Sequence, residues 1–316
     1  MNSLVLNAPK NIEIRDIPVP EPNAGEVLVL VRACSLDRYS FNKYMGNSHH
    51  NGSTTESFGL AGTGSVETTG TSVHGFKAGD RVAFWGDIAV FSDFCKVPVT
   101  RLFHLPDEIS FEEGVNVYLF PEIFRGVEQG RTARQAVFIS GAGPVGMLCA
   151  QVCHAYGADR IIISDLYDQR LKRALHVTAD IGINASTEDV VRRIKEDSEE
   201  GGVDVCLECT GEGSAFSTGE KVLRSGGRLV VLGHHSAPIS LNLEDWSRRS
   251  LTLIMGKEQP EETRDLVERG LQMAALGTIA LRPLLTHVFP LHRAEEAFEL
   301  MKDYPGRTLT VALRPR

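Results

Sequence analysis

Three glycines spaced G-x-G-x-x-G stand between an apolar run and a helical run in AVFISGAGPVGMLCAQVCHAYGADRIIISD, residues 136–165. Gly141 suits the tight turn after strand VFIS, Gly143 lets the backbone approach an anion, and Gly146 lets the helix pack closely on the sheet. The turn Gly141, Ala142, Gly143, Pro144, Val145 and Gly146 therefore presents a helix N-terminus to a pyrophosphate. There, unpaired N–H groups and the positive end of the helix dipole both favour negative charge. Asp165 ends the next strand, RIIIS, where a carboxylate accepts both hydroxyls of an adenosine ribose and repels a 2′-phosphate. The expected cofactor is NAD rather than NADP.

Other residues with ligating or nucleophilic side chains carry weaker signals. Cys206 and Cys209 form a C-x-x-C, but in a strand, VDVCLECTG, that spacing sends them to opposite faces. Cys149 and Cys153 share one face of the helix after the glycine turn, which reads as burial against the sheet. His49 and His50 fall in a polar loop, HHNGSTTES. His234 and His235 follow strand RLVVLG at the carboxyl edge of the sheet, where ligands of such folds bind, so each is either a site residue or a solvated loop histidine.

These groups need a scaffold, and the hydrophobic pattern supplies two kinds. Residues 1–115 hold short strand-like runs separated by turns, among them VLVLVRA, FGLAGTGSVETTG, GFKAGDRVAFW and FSDFCKVP, and read as a β-rich domain. Residues 116–280 alternate strands (VFIS, RIIIS, VDVCLE, RLVVLG, LTLIMG) with amphipathic runs such as DQRLKRALHV and STEDVVRRIKED, which predicts an α/β, doubly wound parallel sheet. The tail, residues 281–316, adds strand, helix and strand and is expected to return to the first domain. Thr210 and Gly211 in ECTG, and Gly233 in VVLG, end later strands and should line the nicotinamide side.

Composition narrows the partners. A chain of 316 residues is long for one core and suits two domains. Apolar content of 42% and charge of 23% are ordinary for a globular protein. A net charge of −8, with no basic stripe, argues against a nucleic-acid partner. The N-terminal run has no charged leader region and no long apolar stretch, so no membrane association and a cytoplasmic location are expected. The six cysteines are scattered, mostly in apolar runs, and no disulfide is expected.

Along nearly its whole length the chain resembles the medium-chain dehydrogenase/reductase superfamily, in its zinc alcohol dehydrogenase and polyol or threonine dehydrogenase branch. PEPNAGEVLVLVRACSLD, GTGSVETTGTSVHGFKAGDRVAF, SGAGPVGML, SDLYDQRLKRAL, GVDVCLECTG, LRSGGRLVVLG and LHRAEEAFELMKDYPGRTLTVAL carry the resemblance, in the family's order. It implies a GroES-like catalytic domain, a Rossmann cofactor domain, hydride transfer between a small-molecule substrate and the cofactor at their cleft, and a homodimer or homotetramer. Arg170, in DLYDQR, matches a family position near the adenine end or is a surface helix residue.

Departures from the family are as informative. The four-cysteine lobe that follows the GDRV strand in zinc members is absent. DRYSFNKYMG replaces CGSDxxxYxG, so Asp37 stands where a zinc-binding cysteine is usual. FGLAGTG replaces GHExxG, placing Leu60 at the histidine and Ala61 at the glutamate, and the third ligand position falls near Tyr118 or Phe120. A zinc site with three protein ligands cannot be built from one carboxylate, so no metal is expected.

Hydride transfer without metal still needs a group that takes the hydroxyl proton. Tyr39 occupies the family's proton-relay position, and Lys43 lies four residues on, on the same side of a helix, where an ammonium would favour the tyrosinate. Asp37 is either a second acid/base or the residue capping RYSFNKY. Tyr44 matches a family tyrosine and reads as structural. The expected activity is a zinc-independent NAD-dependent dehydrogenase of secondary alcohols, polyols or sugar-like substrates. The alternatives are a metal-free NAD(P)H-dependent quinone or enoyl reductase and a non-catalytic NAD-binding protein.

Overall fold

The computed structural model describes residues 1–47, 56–86, 88–198, 200–257 and 259–315. The chain divides into two compact units, Met1–Tyr118 with Leu284–Arg316, and Leu119–Pro283.

The first unit opens with strands β1 (Asn2–Ala8), β2 (Asn11–Asp16) and β3 (Glu26–Leu36), helix α1 (Arg38–Met45), and strands β4 (Glu56–Ser57), β5 (Ala61–Thr69), β6 (Arg81–Trp85), β7 (Phe94–Pro98) and β8 (Leu102–His104). Helix α2 (Phe111–Gly114) follows. Eleven-residue β3 organises this unit, pairing antiparallel with β5 along one edge and with β7 along part of the other. Its apolar residues Val27, Val29 and Val31 are fully buried with Phe84, Phe91 and Val97. Burial of such side chains contributes about 1.5–3 kcal/mol each.

The second unit begins with helix α3 (Phe120–Gly130) and continues through β9 (Ala136–Ser140), α4 (Pro144–Ala155), β10 (Arg160–Asp165), α5 (Asp168–Val177), β11 (Ile181–Asn184), α6 (Val190–Glu196), β12 (Val203–Glu208), α7 (Gly213–Val222), β13 (Leu223–Val231), α8 (Leu243–Arg249), β14 (Thr252–Met255) and α9 (Thr263–Ala275). The six strands form one parallel sheet in the order β11-β10-β9-β12-β13-β14. Helices cover such strands, which explains why β9, β10 and β12 read as unbroken apolar runs rather than alternating ones. The chain winds outward from β9 to β11, returns to β12 beside β9, and winds outward again. The strand order therefore reverses between β9 and β12, and in open α/β sheets the carboxyl ends beside that reversal bind ligands.

The chain then re-enters the first unit with β15 (Leu285–Pro290), α10 (Ala294–Asp303) and β16 (Thr310–Arg314). β16 pairs antiparallel with β3, Val311 opposite Leu36 and Leu313 opposite Cys34. Phe298 of α10 stacks on Tyr44 of α1 with ring centroids 4.1 Å apart, inside the same core. The fold is thus a β-rich GroES-like unit and a Rossmann parallel-sheet unit.

Candidate cofactor and active site

The glycine turn leaves β9 with Gly141 at φ +100°, a conformation that side chains rarely adopt. Gly143 is the N-cap of α4 and offers no side chain to the first-turn amides, and Pro144 occupies the first helical position, where its missing N–H costs nothing. A Cβ on Gly143 would meet only Arg170 Nη1, at 4.0 Å, so the turn's backbone is open to a ligand on that side. Gly146 has the opposite surroundings: a Cβ there would lie 1.8 Å from Gly141 O. Val145 and Ala142 complete the turn.

Asp165, the last residue of β10, is clamped against this turn. Oδ2 accepts from Ala142 N at 2.8 Å, Oδ1 accepts from Tyr167 N at 3.1 Å, and the side chain is almost wholly buried. Arg170 in the first turn of α5 stands 3.6 Å from Asp165 Oδ2, with its guanidinium 5.4 Å from the Tyr167 ring centroid. Its guanidinium thus lies against the acid that ends β10.

On the other flank of the reversal, β12 also ends on an acid, one that the sequence reading passed over. Glu208 is completely buried. Its carboxylate accepts from Thr210 N (2.7 Å), Thr210 Oγ1 (2.5 Å), Gly211 N (3.1 Å) and His235 Nε2 (2.7 Å). Its backbone oxygen accepts from Leu232 N and Gly233 N, both at 2.8 Å. Thr210, Gly211 and Gly233 are thus gathered around one glutamate, the first two on its carboxylate and the third on its backbone oxygen. A Cβ on Gly233 would lie 2.1 Å from Gly211 N, and one on Gly211, at φ +78°, would lie 2.3 Å from His234 O. The signal was present in VDVCLE, an apolar strand closed by a carboxylate as RIIISD is, but its donors lie two to twenty-seven residues away.

Cysteines flank the same strand. Cys209 Sγ lies 3.9 Å from Cys149 Sγ of α4, whereas Cys206 Sγ lies 2.8 Å from the Cβ position of Gly219 on α7. Cys149 and Cys153 are buried, all six cysteines are free thiols, and burial pushes the Cys149, Cys153 and Cys206 thiols up, out of the reactive range.

In the first unit, Asp37 caps α1: Oδ1 accepts from Ser40 N at 2.7 Å. Asp37 Oδ2 and Ser40 Oγ are both buried without a hydrogen-bond partner. Burial pushes the Asp37 carboxyl up to about 6 against the lowering effect of the Ser40 backbone hydrogen bond. Tyr39 is half-buried one residue into α1, and Lys43 points its Nζ over the Phe58 ring, 6.0 Å from the centroid. Tyr44 is fully buried and donates to Glu299 Oε1 at 3.2 Å; burial and the neighbouring Glu299 carboxylate push its phenol up to about 12. His49 and His50 lie outside the described residues.

Residues 23–107 match the alcohol dehydrogenase GroES-like domain and residues 144–270 the zinc-binding dehydrogenase family, one in each unit. The chain is 29% identical to human sorbitol dehydrogenase, covering 99% of this chain and 96% of that protein. It is 26% identical to L-threonine 3-dehydrogenase of Proteus mirabilis, covering 94% and 95%. Both units are thus similar to those of zinc-type alcohol dehydrogenases. Its fold is that of alcohol dehydrogenase TADH from Thermus sp. ATN1, with a TM-score of 0.90, 23% identity and full coverage of both chains. The chain is an oxidoreductase, at the coarse level an NAD(P)-dependent dehydrogenase. No helix among the described residues is long and apolar enough to cross a membrane.

The open backbone at Gly143 and the helix N-terminus behind it leave room for a pyrophosphate. Zinc fits less well. At the positions that the resemblance equates with zinc ligands, Leu60 and Ala61 bring no donor atom, Asp37 has committed one oxygen to its helix cap, and the third falls at Tyr118, a phenol, or at Phe120, buried hydrocarbon. Among the described residues no three His, Cys, Asp or Glu side chains gather as a metal site.

Proposed function

We propose that this alcohol dehydrogenase homologue is a zinc-independent, NAD-preferring dehydrogenase of a secondary alcohol, polyol or sugar-like substrate. The observation that carries the reading is the clamped carboxylate of Asp165 beside the open backbone of Gly143. Each oxygen of Asp165 accepts one backbone N–H, and a carboxylate has capacity for about four hydrogen bonds, so the ribose hydroxyls still find acceptors there. A 2′-phosphate would instead meet the carboxylate's charge. The polyol and threonine dehydrogenases among its relatives support an alcohol as the substrate.

NAD, when bound, supplies the hydride acceptor; this chain must supply the proton acceptor. Asp37 is the acid/base in this reading, because Oδ2 is buried and unpartnered and, with a pKa of about 6, is ionised at neutral pH yet able to hold a proton. Tyr39 and Lys43, on the same helix, form the second candidate pair. A cytoplasmic homodimer or homotetramer completes the reading, and the backbone groups along the free edge of β14, where Met255 is exposed, support self-association.

The test is a set of three measurements on the purified chain. NADH and NADPH are titrated, polyols and enones are screened as substrates, and zinc is determined by elemental analysis. Tighter NADH binding, polyol oxidation and sub-stoichiometric zinc are expected. Enone or quinone reduction with NADPH would replace this reading, and one tightly held zinc per chain would refute its metal-free part.

A further inference from the structure

We propose that Glu208 and His235 form a working pair for the nicotinamide half of the dinucleotide, with Glu208 as the positioning residue and His235 as the group that meets the ligand. The proposal rests on the cofactor reading above. Two acids close the strands on either side of the β9–β12 reversal: Asp165 ends β10 and Glu208 ends β12. With the adenosine ribose at Asp165 and the pyrophosphate at Gly143, the remainder of a dinucleotide must run over the carboxyl ends of β12 and β13.

Glu208 cannot reach a ligand there itself. It is completely buried, and its oxygens are occupied by Thr210 N, Thr210 Oγ1, Gly211 N and His235 Nε2. A buried carboxylate is tolerated when its lone pairs are filled and a basic partner is near. Among the described residues the ring hydrogen-bonded to it is His235. A carboxylate only accepts, so Nε2 donates, and the imidazole is thereby fixed in orientation. The Phe216 ring, edge-on at 6.1 Å, bounds it on another side.

The imidazole is less enclosed than its partner, with 12% of the side chain exposed against none for Glu208. With Nε2 on Glu208, Nδ1 is the ring nitrogen left to meet a ligand. In the neutral imidazole that donates through Nε2, Nδ1 is an acceptor, and it suits the N–H and O–H donors that the nicotinamide riboside half offers in its carboxamide and ribose hydroxyls. Glu208 also draws the two turns together, since its carboxylate binds the 210–211 amides while its backbone oxygen binds the 232–233 amides.

The test compares two ligands on the full chain. ADP carries the adenosine and both phosphates but neither nicotinamide nor its ribose; NADH carries all of them. His235→Phe, which keeps the ring and removes both nitrogens, should weaken NADH about tenfold while leaving ADP affinity within twofold. His235→Asn takes its place if the phenyl ring does not fold. Glu208→Gln should weaken NADH in the same selective way, and the double variant should be no weaker than His235→Phe alone. Equal losses for NADH and ADP would reduce the pair to a fold element and overturn the proposal, as would unchanged NADH affinity. Additive losses in the double variant would overturn the positioning role of Glu208. Failure of the unaltered chain to bind ADP would instead sink the cofactor site on which the proposal rests.

Discussion

Arg170 stands 3.6 Å from Asp165 and 4.0 Å from the Cβ position of Gly143, so a single guanidinium lies between the acid that ends β10 and the glycine turn. Its charge is held by Asp165 as long as that carboxylate is present. Asp165→Ser would release it beside the ribose 2′ position, where a bidentate donor matches a phosphate. The NADPH to NADH affinity ratio should then rise roughly tenfold or more, mainly through weaker NADH binding. Fluorescence titration of both cofactors reads the ratio directly, and an unchanged value would remove Asp165 as the discriminating residue.

Asp37 should set stability and chemistry against each other. Its folded pKa is raised from 3.8 to about 6, so the native state holds this proton more tightly than the unfolded chain does. Native stability is therefore lost as pH rises from about 4 through 6, and the full cost, about 3 kcal/mol, applies above that window. Asp37→Asn keeps a capping side chain and cannot ionise. Urea unfolding should show the variant matching the parent below pH 4 and exceeding it at pH 8, while turnover falls. A constant difference across this range would show that the Asp37 charge is not the cause.

Tyr39→Phe tests the second acid/base candidate without removing the ring. Loss of a general acid/base group is worth about 10² to 10⁴ in turnover. NADH affinity is the control, since loss of a proton-transfer group lowers turnover without weakening the cofactor. Full turnover in this variant would leave the proton transfer to Asp37.

Gly146→Ala should be among the least tolerated single-carbon additions in the chain. Its new Cβ would lie 1.8 Å from Gly141 O and 3.0 Å from Gly141 C, both backbone atoms that cannot rotate away. A loss of about 1–3 kcal/mol or more is expected, together with cofactor binding. Gly213→Ala, at the start of α7 with nothing within 4 Å, is the matching control and should cost almost nothing. Thermal unfolding of the two variants side by side checks the contrast.

The Rossmann unit was readable from sequence because its information is local. Buried parallel strands are contiguous apolar runs, and the glycines answer to atoms within a few residues, as Gly146 answers to Gly141. The cap at Asp37 was readable for the same reason, from an aspartate before a helical run. Its stranded second oxygen was not, since burial there depends on the whole first unit. Glu208 shows the same limit: the acid is visible in VDVCLE, but the histidine that pairs with it comes from the far side of another helix and strand. The tail was legible as strand, helix and strand, whereas its partner strand was set by tertiary pairing alone.

That pairing has a consequence for biosynthesis. Cys34 Sγ donates to Leu313 O across 279 residues of chain, and β16 completes the sheet along β3. During vectorial translation at about 5–20 residues per second, that stretch of β3 waits tens of seconds for its neighbour, while the contiguous second unit can already fold. An unpaired strand edge is a template for misassociation. The nascent chain thus passes through a stage with one finished nucleotide-binding half and one sticky, incomplete half, which is the interval in which chaperones would matter most.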